Sequence, residues 1–68
     1  MILVFKTNIF SELEIHIRAM LDSFSTINTV DFDFEDCDNI LRIEAGSDVT
    51  SDIETLLESK GFYCKELA

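Results

Sequence analysis

The run Val30-Asp31-Phe32-Asp33-Phe34-Glu35, followed by Asp36-Cys37-Asp38-Asn39 and Ile40-Leu41-Arg42-Ile43-Glu44-Ala45, decides the fold of this chain. Apolar and acidic residues alternate strictly in the first part, which predicts a half-buried strand over residues 27–35. The four middle residues are typical of a turn. In the last part the apolar residues alternate again, so the segment predicts a β-hairpin whose returning strand covers residues 40–45.

One further strand and one further helix are predicted on each side of this hairpin. Residues 2–7 form an apolar run that predicts a buried strand, and residues 62–67 predict the last strand. Helices are predicted from Ser11 to Ser23 or Phe24, and from Ser51 to Lys60, with Gly61 as the left-handed residue that follows. Their apolar residues recur at helical spacing: Leu13, Ile17, Met20, Leu21 and Phe24 in the first, and Ile53, Leu56 and Leu57 in the second. Ser11 with Glu14, and Ser51 with Glu54, have the spacing of capping boxes.

The order strand-helix-strand-strand-helix-strand predicts the fold class. It indicates an α+β, ferredoxin-like βαββαβ sandwich, with a four-stranded antiparallel sheet in the order 4-1-3-2 and both helices on one face. The chain has 68 residues, of which 47% are hydrophobic and six are Phe. This length and composition predict a single packed domain over residues 1–68.

Charge and cysteine usage limit the classes of function. The net charge of −9 disfavours nucleic acid and anionic membrane as partners and favours a basic protein surface. The apolar opening, residues 1–5, is too short for a signal peptide or a membrane span. We therefore expect a cytoplasmic protein whose Cys37 and Cys64 are reduced. With no nucleophile beside His16 and no glycine-rich phosphate loop, we expect no enzymatic activity.

Four parts of the chain carry a resemblance to a known family: Phe5-Lys6-Thr7-Asn8-Ile9, Ile27, Asn39-Ile40-Leu41 and Lys60-Gly61-Phe62. In these residues the chain resembles the heavy-metal-associated domain of copper chaperones and metal-transporting ATPases. The resemblance covers nearly all of residues 1–68 and implies one heavy-metal-associated-like domain. In that family, a Cys-x-x-Cys after the first strand holds Cu(I) or another soft metal.

This chain departs from the family at the motif that binds the metal. Aligned from the first strand, Ser11 and Glu14 stand in place of the cysteines; aligned from the helix, with one residue deleted, Phe10 and Leu13 do. Soft metals select sulfur ligands, so we expect no metal at the family site and no Cu(I). The resemblance then implies a protein-interaction or regulatory module related to metal trafficking, whose partner is a basic surface of a metal transporter or chaperone.

An alternative function is metal-ion binding or transport through a non-standard site. The predicted topology gathers acidic residues at one end of the sheet, where Cys37 with Glu12, Glu14 or Asp38 would form the site. Such oxygen-rich ligands favour weakly bound divalent ions over Cu(I), and we expect no cofactor. Cys64 is predicted to be a buried small residue, too far from Cys37 for a disulfide. His16, beside the buried stripe, is predicted to lie on the surface.

The sheet face opposite the helices is a further candidate for binding. Ile2, Val4, Ile40 and Tyr63 are predicted to lie there, with the first three on the two central strands. Exposed apolar patches mark interfaces. A symmetric homodimer is the simplest partner arrangement for such a patch.

Overall fold

The computed structural model describes residues 1–35 and 39–67. In chain order these form β1 (Ile2–Thr7), a 3₁₀ turn (Ser11–Leu13) that leads into α1 (Glu14–Leu21), β2 (Ile27–Asp33), β3 (Ile40–Ala45), α2 (Thr50–Ser59) and β4 (Cys64–Glu66). The strands pair antiparallel in the order β2-β3-β1-β4. The protein is therefore α+β, with a four-stranded antiparallel sheet and two helices, and the predicted strand order is confirmed.

The core lies between the sheet and the helices. Buried and accessible residues alternate along β1 and, from Leu41 onward, along β3, as predicted, so one face of each strand is covered. The buried cluster takes its members from both strands and both helices: Leu3, Phe5, Leu41, Ile43 and Ala45 from the sheet, and Ile17, Leu21, Ile53 and Leu57 from the helices. Full burial of each large side chain contributes about 1.5–3 kcal/mol, opposed by the entropy cost of ordering the chain.

The starts of the helices differ from the sequence prediction. Neither α1 nor the 3₁₀ turn has a side-chain cap hydrogen bond, and Ser51 lies inside the first turn of α2. The N-cap of α2 is Val49, which has no side-chain cap hydrogen bond either. The Oδ1 atom of Asp48, one residue earlier, accepts the N–H of Thr50 at 3.0 Å instead. Both capping-box predictions are wrong. The second fails because Val49 is buried and its carbonyl accepts the N–H of Ile53 at 2.9 Å, so α2 begins before Ser51.

The end of α2 is the left-handed stop that the sequence predicts. Gly61 has a φ of 90°. Its N–H donates to the carbonyl of Glu58 at 3.0 Å, and the N–H of Phe62 donates to the carbonyl of Leu57 at 3.0 Å. This pair of bonds is a Schellman motif, which satisfies carbonyls at the helix end. The chain is thereby returned toward β4.

Other boundaries move by one to three residues. The α1 helix ends at Leu21 rather than near Ser23 or Phe24, and β2 ends at Asp33 rather than at residue 35. The last strand is shorter than residues 62–67, although the N–H of Leu67 still donates to the carbonyl of Val4 at 2.8 Å. The β4 pairing therefore continues one residue past the strand.

Candidate functional site

Three loops meet at one end of the sheet, as the sequence predicts. The hydroxyl of Thr7 donates to the backbone carbonyl of Asn39 at 2.6 Å and accepts the N–H of Ile9 at 3.2 Å. The side-chain oxygen of Asn8 accepts the N–H of Tyr63 at 2.8 Å. These bonds tie the end of β1 to the β2–β3 connection and to the α2–β4 turn. Because the buried Thr7 hydroxyl both donates and accepts, this junction is a satisfied part of the fold.

Ser11 and Glu14, the two positions predicted to stand in place of the family cysteines, make separate contacts after β1. The Oγ atom of Ser11 donates to Oε1 of Glu12 at 2.8 Å. That bond, together with the Glu12 backbone N–H, lowers the pKa of the Glu12 carboxyl. The Oε2 atom of Glu14 accepts from Nε of Arg18 at 2.8 Å, one turn along α1. Both side chains therefore have structural partners, and neither supplies the soft ligand that Cu(I) selects.

The other metal predictions have different outcomes. On the second alignment, Phe10 is exposed and Leu13 packs against the core. Glu12 is exposed, whereas Cys37 and Asp38 lie outside the described residues, so the non-standard site stays a prediction. Within residues 1–35 and 39–67, no group of three or more His, Cys, Asp or Glu side chains is placed to hold a metal ion.

Cys64 and His16 lie where the sequence predicts. Cys64 opens β4 and is fully buried. Burial, with a further contribution from the carboxylates of Glu54 and Glu58, raises the pKa of its thiol to about 12. A buried thiol that stays protonated at neutral pH is a packing residue rather than a nucleophile or ligand. His16 is exposed on α1.

The sheet face without helices has a defined set of residues. Residues opposite each other on neighbouring strands share a face, so the register assigns the members that lie within the strands. Tyr63 and Leu67 flank β4 and are assigned by their alternation with Lys65. We call this surface the outer sheet face, and from β2 to β4 it comprises Thr29, Asp31 and Asp33, then Ile40, Arg42 and Glu44, then Ile2, Val4 and Lys6, and finally Tyr63, Lys65 and Leu67.

The outer sheet face is apolar only in part. Ile2 and Tyr63 are 55% and 47% exposed, and Val4 is half-buried. Ile40 is only 8% exposed, so it adds little to an accessible patch, because it lies in a central strand between Asp33 and Lys6 in the register. The sequence analysis did not predict Leu67 on this face, although its side chain is 45% exposed. Leu67 lies three residues after the buried Cys64, so the alternation along a strand would have placed it on the outer sheet face.

Among the described residues, charge divides unequally between two surfaces. The outer sheet face carries three of the five basic residues and three acidic residues, and is therefore formally neutral. We call the rest of the described surface the acidic surface. Its two basic residues are Arg18 and Lys60, and its nine acidic residues are Glu12, Glu14, Asp22, Glu35, Asp48, Asp52, Glu54, Glu58 and Glu66. A molecule complementary in charge to this surface would be cationic.

Arg18 covers the free edge of β2, which the sequence did not indicate. Its Nη1 donates to the carbonyl of Val30, and its guanidinium carbon lies 5.4 Å from the ring centroid of Phe32. The unpaired backbone groups of an edge strand bind readily to strands of other chains. The Arg18 side chain satisfies one of these groups on β2, the carbonyl of Val30. The shallow groove between α1 and β2 measures about 170 Å³, below the range of ordinary small-molecule pockets.

No protein-family model, curated protein or solved structure matches the chain. The resemblance to heavy-metal-associated domains therefore stays a prediction. None of the helices in the described part of the chain has the length and apolar character needed to cross a bilayer.

Proposed function

We propose that this protein is a cytoplasmic protein-interaction or regulatory module whose acidic surface binds a basic surface of a partner protein. The observation that carries the proposal is the division of charge between the neutral outer sheet face and the acidic surface. Evenly spread charge would serve solubility, whereas a neutral face beside a strongly acidic remainder steers a cationic partner toward the acidic surface. In this proposal the protein has no enzymatic activity.

We further propose that the protein is a ferredoxin-like domain, similar to heavy-metal-associated domains, whose metal site is degenerate. The strand order β2-β3-β1-β4 and a core shared by both helices support the fold. The bonds of Ser11 to Glu12 and of Glu14 to Arg18 support the loss of the site, because they give both residues structural roles. A link to metal trafficking makes a metal transporter or chaperone the proposed partner.

A Cu(I) competition titration of the reduced protein tests the degenerate site. We expect a chromophoric chelator to keep its Cu(I), since oxygen ligands compete poorly with soft ones. Stoichiometric transfer of Cu(I) to the protein would contradict this expectation. Loss of that transfer in Cys37→Ser, but not in Cys64→Ser, would then favour the non-standard site.

Binding of a labelled lysine-rich peptide, followed by fluorescence anisotropy, tests the acidic surface. The variant Glu12→Gln/Asp52→Asn/Glu58→Gln removes three of its charges, and we expect the dissociation constant to rise by about tenfold. A control variant with the same net charge, substituted on the outer sheet face, should show a rise of less than about twofold; it is Asp31→Asn/Asp33→Asn/Glu44→Gln. Equal losses in the two variants would mean that net charge alone governs binding, and would overturn the proposal.

A further inference from the structure

The charges of the outer sheet face follow a gradient across the strands. One row of the register runs from Asp33 on β2, through Ile40 and Lys6, to Lys65 on β4. Asp31 adds a second acidic residue at the β2 side. Lys6 and Lys65 are direct partners in the register, so the β1–β4 side of the face is basic. An acidic group over the β4 side would complement this basic side.

A second copy of the chain supplies such a group through its own β2. Two copies that pack face to face have two simple twofold axes. An axis perpendicular to the strands sets β2 on β2 and brings acidic residues together. An axis parallel to the strands sets β2 of each copy on β4 of the other. Asp33 then faces Lys65 of the second copy, because both residues belong to one row of the register.

We propose that this protein forms a homodimer in which the two outer sheet faces pack together about a twofold axis parallel to the strands. Such a dimer is isologous, so the Asp33–Lys65 contact occurs twice. Ile2, Tyr63 and Leu67 supply the exposed apolar area that association removes from water. The inference concerns a surface other than the acidic surface of the proposed function.

The distribution of charge also favours this arrangement. The acidic surfaces of the two copies point away from each other, with both sheets between them. Sheets that pack face to face lie about 10 Å apart, and the Debye length is about 8 Å at physiological ionic strength. Repulsion between the acidic surfaces is therefore largely screened, while the contacting faces are neutral.

The size of the face indicates a weak dimer. The strands β1 to β4 have 6, 7, 6 and 3 residues. With about 4.8 Å between strands and about 3.3 Å per residue, they offer roughly 350 Å² per copy. The total of roughly 700 Å² lies below the standard range for stable complexes. We therefore expect a dissociation constant on the order of 100 µM, which sedimentation equilibrium resolves between about 10 µM and about 1 mM protein. A strict monomer throughout this range would overturn the proposal.

Two single charge reversals test the axis. Asp33→Lys should weaken self-association by about tenfold or more, because lysines then face each other across the interface. Lys65→Asp should weaken self-association similarly, because carboxylates then face each other across the interface. An equimolar mixture of the two variants should form a heterodimer close to wild-type affinity, since each contact again joins a lysine to an aspartate.

If net charge alone governed self-association, the variants would change the dimer affinity in a different way. Asp33→Lys makes the chain less negative, so a net-charge effect would tighten its homodimer rather than weaken it. That result, or a mixture that associates no better than the single variants, would overturn the proposal. The Asp33 carboxylate also accepts the N–H of Glu35. If Asp33→Lys unfolds for this reason, Asp33→Asn replaces it, because asparagine keeps an oxygen acceptor; its homodimer should weaken, whereas a net-charge effect would tighten it.

Matched reversals elsewhere provide the control. Asp22→Lys and Lys60→Asp make the same changes in net charge on the acidic surface, and their mixture should show no gain over the average of the two single variants. The reversals at Asp33 and Lys65 leave the acidic surface intact, so their binding of the lysine-rich peptide should persist. Loss of the dimer is thereby distinguishable from failure of the proposed function.

Discussion

At the scale of the residue, Asp48 shows how one carboxylate fixes the start of a helix. Its Oδ1 accepts the N–H of Thr50 at 3.0 Å. The side chain of Thr50, followed by its backbone N–H, lowers the pKa of the Asp48 carboxyl below its usual 3.8. A carboxylate near a helix N-terminus also faces the positive end of the helix dipole. The charged form of Asp48 therefore favours the folded state.

The pH dependence of stability tests this cap. A carboxyl with a lowered folded-state pKa stabilises above its unfolded-state pKa, and the contribution disappears as the pH falls through the folded value. We expect the free energy of unfolding to fall more steeply below about pH 5 in the wild type than in Asp48→Ser, which keeps a capping oxygen that does not titrate. Urea unfolding at each pH measures the difference.

Asp48→Ala provides the control for this experiment. It should be less stable than Asp48→Ser at neutral pH, because it has no side-chain acceptor for the N–H of Thr50. Parallel pH profiles for the wild type and Asp48→Ser would show that the carboxylate contributes nothing specific to its charge.

The thiol of Cys64 gives a second prediction at this scale. In Cys37→Ser, Cys64 is the only thiol, and its reaction with Ellman's reagent at about pH 8 should be at least about a hundredfold slower in the folded protein than in urea. Because the pKa of the folded thiol is raised to about 12 from 9.0, stability should also fall as the pH rises above about 9. Equal reactivity in both states would contradict the burial.

At the scale of the element, strands were predicted better than helix ends. The bounds of β1 and β3 match because alternation along a half-buried strand is a local pattern. The start of α2 was not predictable in this way, since it depends on whether Val49 is buried in the folded core. The candidate site was also predicted only in part. The alternation along the strands located Ile2 and Tyr63 on the outer sheet face. The contact of Arg18 with Val30 could not be predicted, because it joins a helix to a strand edge through the tertiary fold.

The left-handed end of α2 gives the prediction at this scale. A Cβ at Gly61 would meet no heavy atom within 4 Å, so Gly61→Ala adds only the strain of a φ of 90°. We expect it to lower the free energy of unfolding by about 1–2 kcal/mol in a urea titration.

Gly46→Ala is the matched control for that substitution. Gly46 has no positive φ, and a Cβ there would make an ordinary contact of 3.8 Å with the carbonyl oxygen of Thr26. It should be neutral or stabilising by up to about 1 kcal/mol, because alanine restricts the unfolded chain. If the two substitutions had the same cost, the left-handed backbone at Gly61 would not be the cause.

At the scale of the whole molecule, a net charge of −9 acts on a body of 27 × 22 × 18 Å. At about 0.01 M salt the Debye length is about 30 Å, longer than the molecule, so every pair of charges interacts. At about 0.15 M it falls to about 8 Å, and only neighbouring charges do. The folded state brings the acidic residues closer than the unfolded chain does, so repulsion opposes folding most strongly at low salt.

We therefore expect the free energy of unfolding to rise as NaCl is increased from about 0.01 M to about 0.15 M, measured at about 5 µM protein, where the proposed dimer is dissociated. The rise should be smaller in Glu12→Gln/Asp52→Asn/Glu58→Gln, which has fewer repelling charges. A fall in stability would mean that attractive pairs such as Arg18–Glu14 outweigh the repulsion. The unequal division of charge would then increase the free energy of unfolding. It would not be a destabilising feature kept for binding a partner.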